Sequence, residues 1–217
     1  MRRTIAATYL GKVAGNRVLS GEIARGEGKH IDAVIWYCDL RGSAELCDTL
    51  GVDEYLPLLN KYFVATAGPV MREGGDVLDF IGDAVLAIFP LHEDGAHRAL
   101  RATEAAAREV DALRLSEPAF QDRKCLADVT GIAIATGSVV YGNIGVPQRL
   151  TFSVIGPTVN AVARLEDLTK VIGEPILATE NVARHLGADM PFRALGAYRL
   201  PGQREAQQIY APELSAP

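Results

Sequence analysis

Two aspartates stand where carboxylates could meet a cation. Asp39 closes the run 31–39, and Asp83 sits after Gly82 between two short apolar runs, 77–81 and 84–89. The first run is rich in β-branched and aromatic residues and stops abruptly at Asp39-Leu40-Arg41-Gly42, which predicts a buried strand running into a loop. The other two predict a β-hairpin with a tight turn. If these strands are neighbours in one sheet, both carboxylates leave it at the same edge. Hard oxygen ligands converging there suit Mg²⁺ or Mn²⁺, which complete their shells with water and phosphate. Two such ions bridging a triphosphate activate an attacking oxygen and clamp a leaving one. Taken singly, Asp83 reads as a turn residue and Asp39 as a strand-end cap. Together, with Arg41, Gly42 and Ser43 following as a backbone cradle for phosphate, they point to chemistry.

A second constellation is Asn160 and Arg164. They are four apart on a predicted helix and therefore share a face, while Val159, Val162 and Leu165 supply the buried side. A guanidinium offers fixed donors to phosphate oxygens, and the Asn160 amide can hold a ligand hydroxyl or ring oxygen. The plainer alternative is a solvated face on which Arg164 pairs with Asp167.

The elements that must position these groups are readable in outline. Residues 43–73 predict helix in two pieces joined near Gly51, with Leu56, Leu59, Tyr62 and Phe63 as an apolar stripe and Gly74-Gly75 as its stop. Residues 93–115 predict an alanine-rich helix with Leu100, Thr103, Ala107 and Val110 on one face. Strands are expected at 127–136 and 138–144, around Gly137, and at 150–155. A helix opened by Pro157 runs to about Lys170. Strand, short helix, strand and strand follow at 175–178, 179–186, 193–200 and 206–210. Residues 1–30 form a lead-in segment, weakly amphipathic over 17–25 and broken at Gly26-Glu27-Gly28-Lys29. A single α+β domain over 31–212 and a tail at 213–217 complete the expected organisation.

Composition limits what such a domain can be. Of 217 residues, 48% are hydrophobic and 23% charged, with 22 Lys+Arg against 27 Asp+Glu and a net charge of −5. That is an ordinary globular balance, and its negative sign argues against a nucleic-acid binder. No run approaches the length of a membrane span, and the apolar stretch after Met1-Arg2-Arg3 is interrupted by Lys12. Cys38, Cys47 and Cys125 form no paired motif and read as reduced thiols, which predicts a cytoplasmic protein. His92 and His97 flank Glu93 and Asp94 without metal-site spacing. Gly26 to Lys29 is no P-loop, since Ile23 and His30 occupy its key places. Trp36 reads as core.

The residues 37–42, 59–63, 74–89 and 154–166, taken in order, closely resemble the catalytic domain of class III nucleotidyl cyclases. The resemblance runs from about Ala33 to Tyr210, and Thr8 to Gly11 with Arg17 to Gly21 is similar to the segment preceding this domain in bacterial members. It implies a ferredoxin-like or palm-type βαββαβ core with a mainly antiparallel sheet, flanking helices and a C-terminal extension. It also implies conversion of a nucleoside triphosphate, ATP by family frequency with GTP possible, to its 3′,5′-cyclic monophosphate and pyrophosphate in signalling. Asp39 and Asp83 fall on the metal-binding aspartates, with Leu40 contributing its carbonyl to one of two Mg²⁺ or Mn²⁺ ions. Asn160 and Arg164 fall on the pair that orients the ribose and stabilises the pentavalent phosphate. Arg41, Gly42, Ser43, Asp79, Ser153 and Ile155 fall on substrate-contacting positions. The family works as a head-to-tail homodimer with shared sites, often beneath an upstream regulatory domain.

Three positions depart from the family pattern. Asp79 stands where adenylyl cyclases carry a lysine, and Ser153 where they carry an aspartate. An ionised Asp79 cannot donate to adenine N1. It could accept from the N1–H and amine of guanine while Ser153 donates to O6, or accept from adenine's amine in a shifted pose, so both nucleotides stay open. Pro201 replaces a lysine that holds terminal phosphates, a charge-assisted contact of about 1.5–3 kcal/mol, for which Arg199 or Arg204 could partly substitute. Ser43 and Ala44 stand where Phe-Thr is usual. A cyclase-like nucleotide-binding or dimerisation module with little turnover is the alternative expectation.

Overall fold

The structure, a computed structural model, describes residues 28–146, 148–187 and 192–213, and Leu19 singly. The expected amphipathic stretch at 17–25 lies otherwise outside the described residues, as does the tail beyond Glu213.

The strand ending at Asp39 is β1 (Gly28–Leu40), which begins three residues earlier than its apolar run because Gly28 already pairs with Gly142. It is followed by α1 (Ser43–Leu50) and α2 (Val52–Arg72), separated at Gly51, whose φ of 75° no longer belongs to a helix. The hairpin is β2 (Asp76–Ile81) and β3 (Ala84–Pro90). Gly82, first of the two turn residues, carries the positive φ (66°) that a tight hairpin turn of the II′ kind requires. Next come α3 (Gly95–Ser116), β4 (Thr130–Val146), β5 (Arg149–Ile155), α4 (Pro157–Ile172), β6 (Ile176–Thr179), α5 (Glu180–Leu186), β7 (Phe192–Tyr198) and β8 (Gln207–Pro212).

All eight strands join one sheet in the order β2-β3-β1-β4-β6-β8-β7, with β5 also on β4. Every pairing is antiparallel except β4 with β6. The first four strands with their crossover helices are the βαββαβ core expected from sequence, and the α+β class holds.

Alternation along β1 divides the interior in two. Val34, Trp36, Cys38 and Leu40 face a core shared with α2 and α3, and Ala33 and Ile35 face the other side against Val162 and Leu165 of α4. Trp36 is fully buried, and its indole N–H donates to Thr103 Oγ1 at 2.9 Å, so its role is core packing.

Two expectations change. Gly137 does not divide two strands: β4 runs through it unbroken. A Cβ there would lie 2.2 Å from Thr158 Oγ1, so the glycine is needed where α4 presses on the sheet, not for a turn. Leu56, read as part of the buried stripe of α2, is 55% exposed; Leu58, Ala65 and Val70 join Tyr62 in the core instead.

Candidate active site

The register of β1 with β3 runs from Ala33 opposite Pro90 to Cys38 opposite Val85. One step further puts Asp39 beside Ala84 and the turn residue Asp83. The two carboxyls come within hydrogen-bonding reach, and the Asp39 carboxyl is pushed up to about 7. Burial is the main cause, the nearby Asp83 carboxyl the next and the charge of Glu166 a further one, while Lys170 opposes them. The Lys170 ammonium is 3.6 Å from Asp39 Oδ2. Both aspartates are half-buried, with a solvent-facing side. Leu40 buries its side chain in the core and continues the backbone past Asp39.

This donor set fits a magnesium- or manganese-type ion. Two anionic oxygen groups crowded together, and paying an electrostatic cost for it, gain most from a hard dication that leaves room for water and phosphate. Among the described residues no group of three or more His, Cys, Asp or Glu could hold a metal.

Past Asp39 the chain turns at Gly42, with φ 62°, into α1. The first amides of α1 lack intrahelical acceptors, which suits them to phosphate. Arg41 is otherwise engaged. Its amide donates to Val129 O at 2.8 Å, its Nη1 donates to Glu166 Oε1 at 2.7 Å, and its Nη2 donates to Thr169 Oγ1. Arg41, Glu166 and Thr169 are all buried, and Gly131 on β4 is where their network touches the sheet: a Cβ there would lie 2.3 Å from Arg41 Nη2 and Glu166 Oε1.

Asn160 and Arg164 occupy the outer side of α4, whose Ala161, Val162 and Leu165 are buried. Arg164 takes no salt bridge among the described residues; Asp167, its expected alternative partner, lies 3.1 Å from Lys170 instead. The Arg164 guanidinium lies over the turn opened by Pro201, 2.8 Å from where a Gly202 Cβ would stand. Arg199 and Arg204 are exposed.

Asn160 and Arg164 are not brought to the Asp39–Asp83 pair of the same chain. Thr158 packs at Gly137, opposite Ala33, whereas Thr169 packs at Gly131, opposite Asp39. Asn160 precedes Glu166 by six residues, about 9 Å along the axis at 1.5 Å per residue. Asn160 thus stands about 9 Å further along α4 than the Glu166 that lies beside the strand end of Asp39.

Asp79 is exposed on β2 at a register shift of the β2–β3 ladder. Ser153 is half-buried on β5 opposite Gly142, and Ile155 is 55% exposed at the end of β5. The β4–β5 arm reaches back toward β2, where Tyr141 Oη donates to Asp76 Oδ2 at 2.5 Å. Lys170, Glu166, Thr169 and Gly131 are the site-adjacent residues that sequence patterning did not single out. Arg41 and Glu166 are separated by 125 positions, and no local spacing connects them.

Residues 27–211 match the family described as the adenylate and guanylate cyclase catalytic domain. An adenylate cyclase of Anabaena cylindrica is 32% identical over 187 residues, covering 81% of this chain and 36% of that protein. A bacterial light-regulated adenylyl cyclase superposes with a TM-score of 0.82 at 27% identity, over 96% of this chain and 60% of the other. The guanylyl cyclase Cya2 superposes with a TM-score of 0.72 at 25% identity, over 84% and 92%. The chain thus spans about a third of the Anabaena relative's length. With the sheet order, the paired strand-end aspartates and a match over most of its length in agreement, this chain belongs to the adenylate and guanylate cyclase catalytic domain family.

Proposed function

We propose that this domain is a nucleotidyl cyclase that converts ATP or GTP to its 3′,5′-cyclic monophosphate and pyrophosphate, at sites shared across a homodimer, in intracellular signalling. The observation that carries the reading is the convergence of Asp39 and Asp83 at one sheet edge, in a chain of this family. No helix among the described residues is long and apolar enough to cross a membrane. With three free cysteines, that accords with a cytoplasmic location.

The Asp39 and Asp83 carboxylates, with the Leu40 carbonyl, would hold two divalent cations. When bound, Mg²⁺ or Mn²⁺ supplies charge neutralisation on the triphosphate and acidifies the ribose 3′-hydroxyl. The chain's own groups do the rest by positioning. Amides at Gly42 and Ser43, where α1 begins, receive phosphate oxygens; Arg41 braces that loop from beneath, its donors already engaged. Asn160 of one protomer orients the ribose of a nucleotide held by its partner, so that the 3′-oxygen faces the α-phosphorus. The 3′ O–P bond forms as the bond from the α-phosphorus to the bridging oxygen breaks, pyrophosphate leaves, and the hydroxyl proton is lost. Arg164 stabilises the charge on the five-coordinate phosphate.

A dimer would bring a partner's Asn160 to the carboxylates, since within one chain Asn160 lies about 9 Å along α4 from the Glu166 beside Asp39. Phe80, Ile81 and Ile155, 48%, 50% and 55% exposed near the hairpin and the β5 end, are apolar surface that such an interface would cover. Asp79 and Ser153 would read the base, with guanine favoured by their donor and acceptor types. The alternative, a nucleotide-binding module with little turnover, draws on one feature: Pro201 replaces the expected lysine, and Arg164 lies across the adjoining turn.

The deciding assay incubates the purified domain with ATP and with GTP, each with Mg²⁺ and with Mn²⁺. Products are separated chromatographically, and an Asp39→Ala/Asp83→Ala double variant is the blank. Cyclic GMP as main product supports Asp79 and Ser153 as base readers; cyclic AMP supports the cyclase but removes that role. No cyclic product from demonstrably dimeric protein favours the module.

A further inference from the structure

Lys170 is placed to act on the carboxylate pair although it belongs to neither constellation. It sits in the last turn of α4, and its ammonium touches carboxylates from two elements: Asp39 Oδ2 on β1 at 3.6 Å, and Glu166 Oε2 and Asp167 Oδ1 on its own helix at 3.6 and 3.1 Å. The other oxygen of Glu166 is locked by buried Arg41. Lys170 itself is 44% exposed. It therefore has a permanent anchor on α4 and one partner, Asp39, that it can release without being left unpaired.

We propose that Lys170 is the resting counter-ion of the Asp39–Asp83 pair, displaced toward Glu166 and Asp167 when divalent cations arrive. This rests on the reading of that pair as a cation site. A cation bound to Asp39 lies about 2.0–2.6 Å from its carboxylate oxygens. With the ammonium still 3.6 Å from Oδ2 and the cation on that same oxygen, the two positive centres would be at most about 6 Å apart. At that separation their repulsion in a water-like dielectric weakens cation binding about tenfold, falling to about threefold when screened at physiological ionic strength. Lys170 thus makes an empty site tolerable and a singly occupied one less favourable. Polyanionic nucleotide offsets the crowding, so cation loading becomes tied to substrate arrival. An ion pair confined to α4, of the kind usual at helix surfaces, would not reach Asp39 and would not alter cation affinity.

The test measures Mn²⁺ binding without nucleotide, from the free-Mn²⁺ electron paramagnetic resonance signal, through the millimolar range on the full chain. Wild type is compared with Lys170→Met, Lys170→Gln, Lys170→Arg and Asp39→Asn, each checked for an intact thermal transition. The expected result is binding about tenfold tighter in both neutral variants at low ionic strength and about threefold tighter at physiological salt, with Lys170→Arg close to wild type. Unchanged or weaker affinity in both neutral variants, while Asp39→Asn abolishes binding in every background, overturns the counter-ion role and leaves the cation site standing. Binding indifferent to Asp39, or absent throughout, overturns the cation-site reading and this inference with it.

Discussion

The buried link between β1 and α4 makes a sharp energetic prediction. Arg41 and Glu166 side chains are 10% and 2% exposed and meet at 2.7 Å. Burial nevertheless leaves the Glu166 carboxyl above the usual range, with Arg41 and then Lys170 pulling it down less than burial pushes it up. Such a pair contributes little net stability, but losing one partner strands the other. Glu166→Leu leaves a guanidinium that cannot deprotonate with only Thr169 to receive it, and costs about 3–5 kcal/mol. Arg41→Met leaves a carboxylate that keeps Lys170 and can take up a proton, so its cost is smaller, about 1–3 kcal/mol near neutral pH. The double variant Arg41→Met/Glu166→Leu, apolar at both places, lies about 1–2 kcal/mol below wild type, giving a coupling of about 2–7 kcal/mol. The pH sign follows from the carboxyl. A folded-state pKa above the unfolded one penalises the fold above that pKa, and the penalty fades as pH falls through it. Arg41→Met therefore recovers stability on acidification, whereas Glu166→Leu does not. Urea unfolding followed by the fluorescence of Trp36, the single tryptophan, reads all four proteins at one fixed concentration, near neutrality and about two pH units lower. Additive costs, with coupling below about 0.5 kcal/mol, would refute the argument.

Three further outcomes follow from the same geometry. Gly131→Ala drives a methyl into Arg41, Glu166 and Thr169 and lowers stability by about 1–3 kcal/mol by urea unfolding, with Gly173→Ala, where no atom lies within 4 Å but φ is 80°, as the comparison for pure backbone strain. Asp83→Asn removes one cause of the raised Asp39 pKa, so the metal-free fold gains about 0.5–1 kcal/mol while cyclic nucleotide production is lost; the gain is present above about pH 7, where Asp39 is ionised, and disappears as pH falls. Cys38, fully buried and pushed up to about 12 chiefly by burial, stays unlabelled by an aromatic disulfide reagent in the folded protein, whereas exposed Cys125 reacts; mass spectrometry of labelled peptides before and after urea distinguishes them.

How much of this was legible depended on range. The hairpin, the break at Gly51 and the proline-opened α4 follow from local rules, because Gly51 and Gly82 permit the positive φ that a break or tight turn uses and Pro157 fixes a φ suited to a helix start. The Asp39–Asp83 meeting was legible for a related reason, since both lie where strands stop and only strand adjacency had to be supplied. Gly137 misled because a glycine demanded by a helix pressing on a sheet looks, in sequence, like one demanded by a turn. Arg41 misled by its neighbourhood: beside Asp39 in the chain it reads as part of a phosphate cradle, yet its amide bonds Val129 and its side chain reaches Glu166. Leu56 precedes Tyr62 by six residues, about 120° round the helix from it, and faces outward, while Leu58, one turn before Tyr62, is buried.

The placement of α4 explains why this site should need two chains. One helix carries two sets of groups at different heights: Glu166, Thr169 and Lys170 at the end beside Asp39, and Asn160 near the end beside Gly137. Because Arg41 clamps the lower half to β1, the helix cannot slide to bring Asn160 to its own carboxylates without breaking a buried ion pair. In the proposed dimer, a second copy related by a two-fold axis would resolve this: each helix would offer its upper face to the other's strand edge, and two equivalent sites would form together. In that proposed arrangement the same clamp would make α4 a strut between the carboxylates of one site and an Asn160–Arg164 pair lent to the other. A change at Asp39 that shifts Lys170 therefore acts on an element both sites share, and the Arg41→Met/Glu166→Leu variant, folded but unclamped, separates the two effects. It should retain Mn²⁺ binding at Asp39 while losing cyclic nucleotide formation disproportionately to its stability.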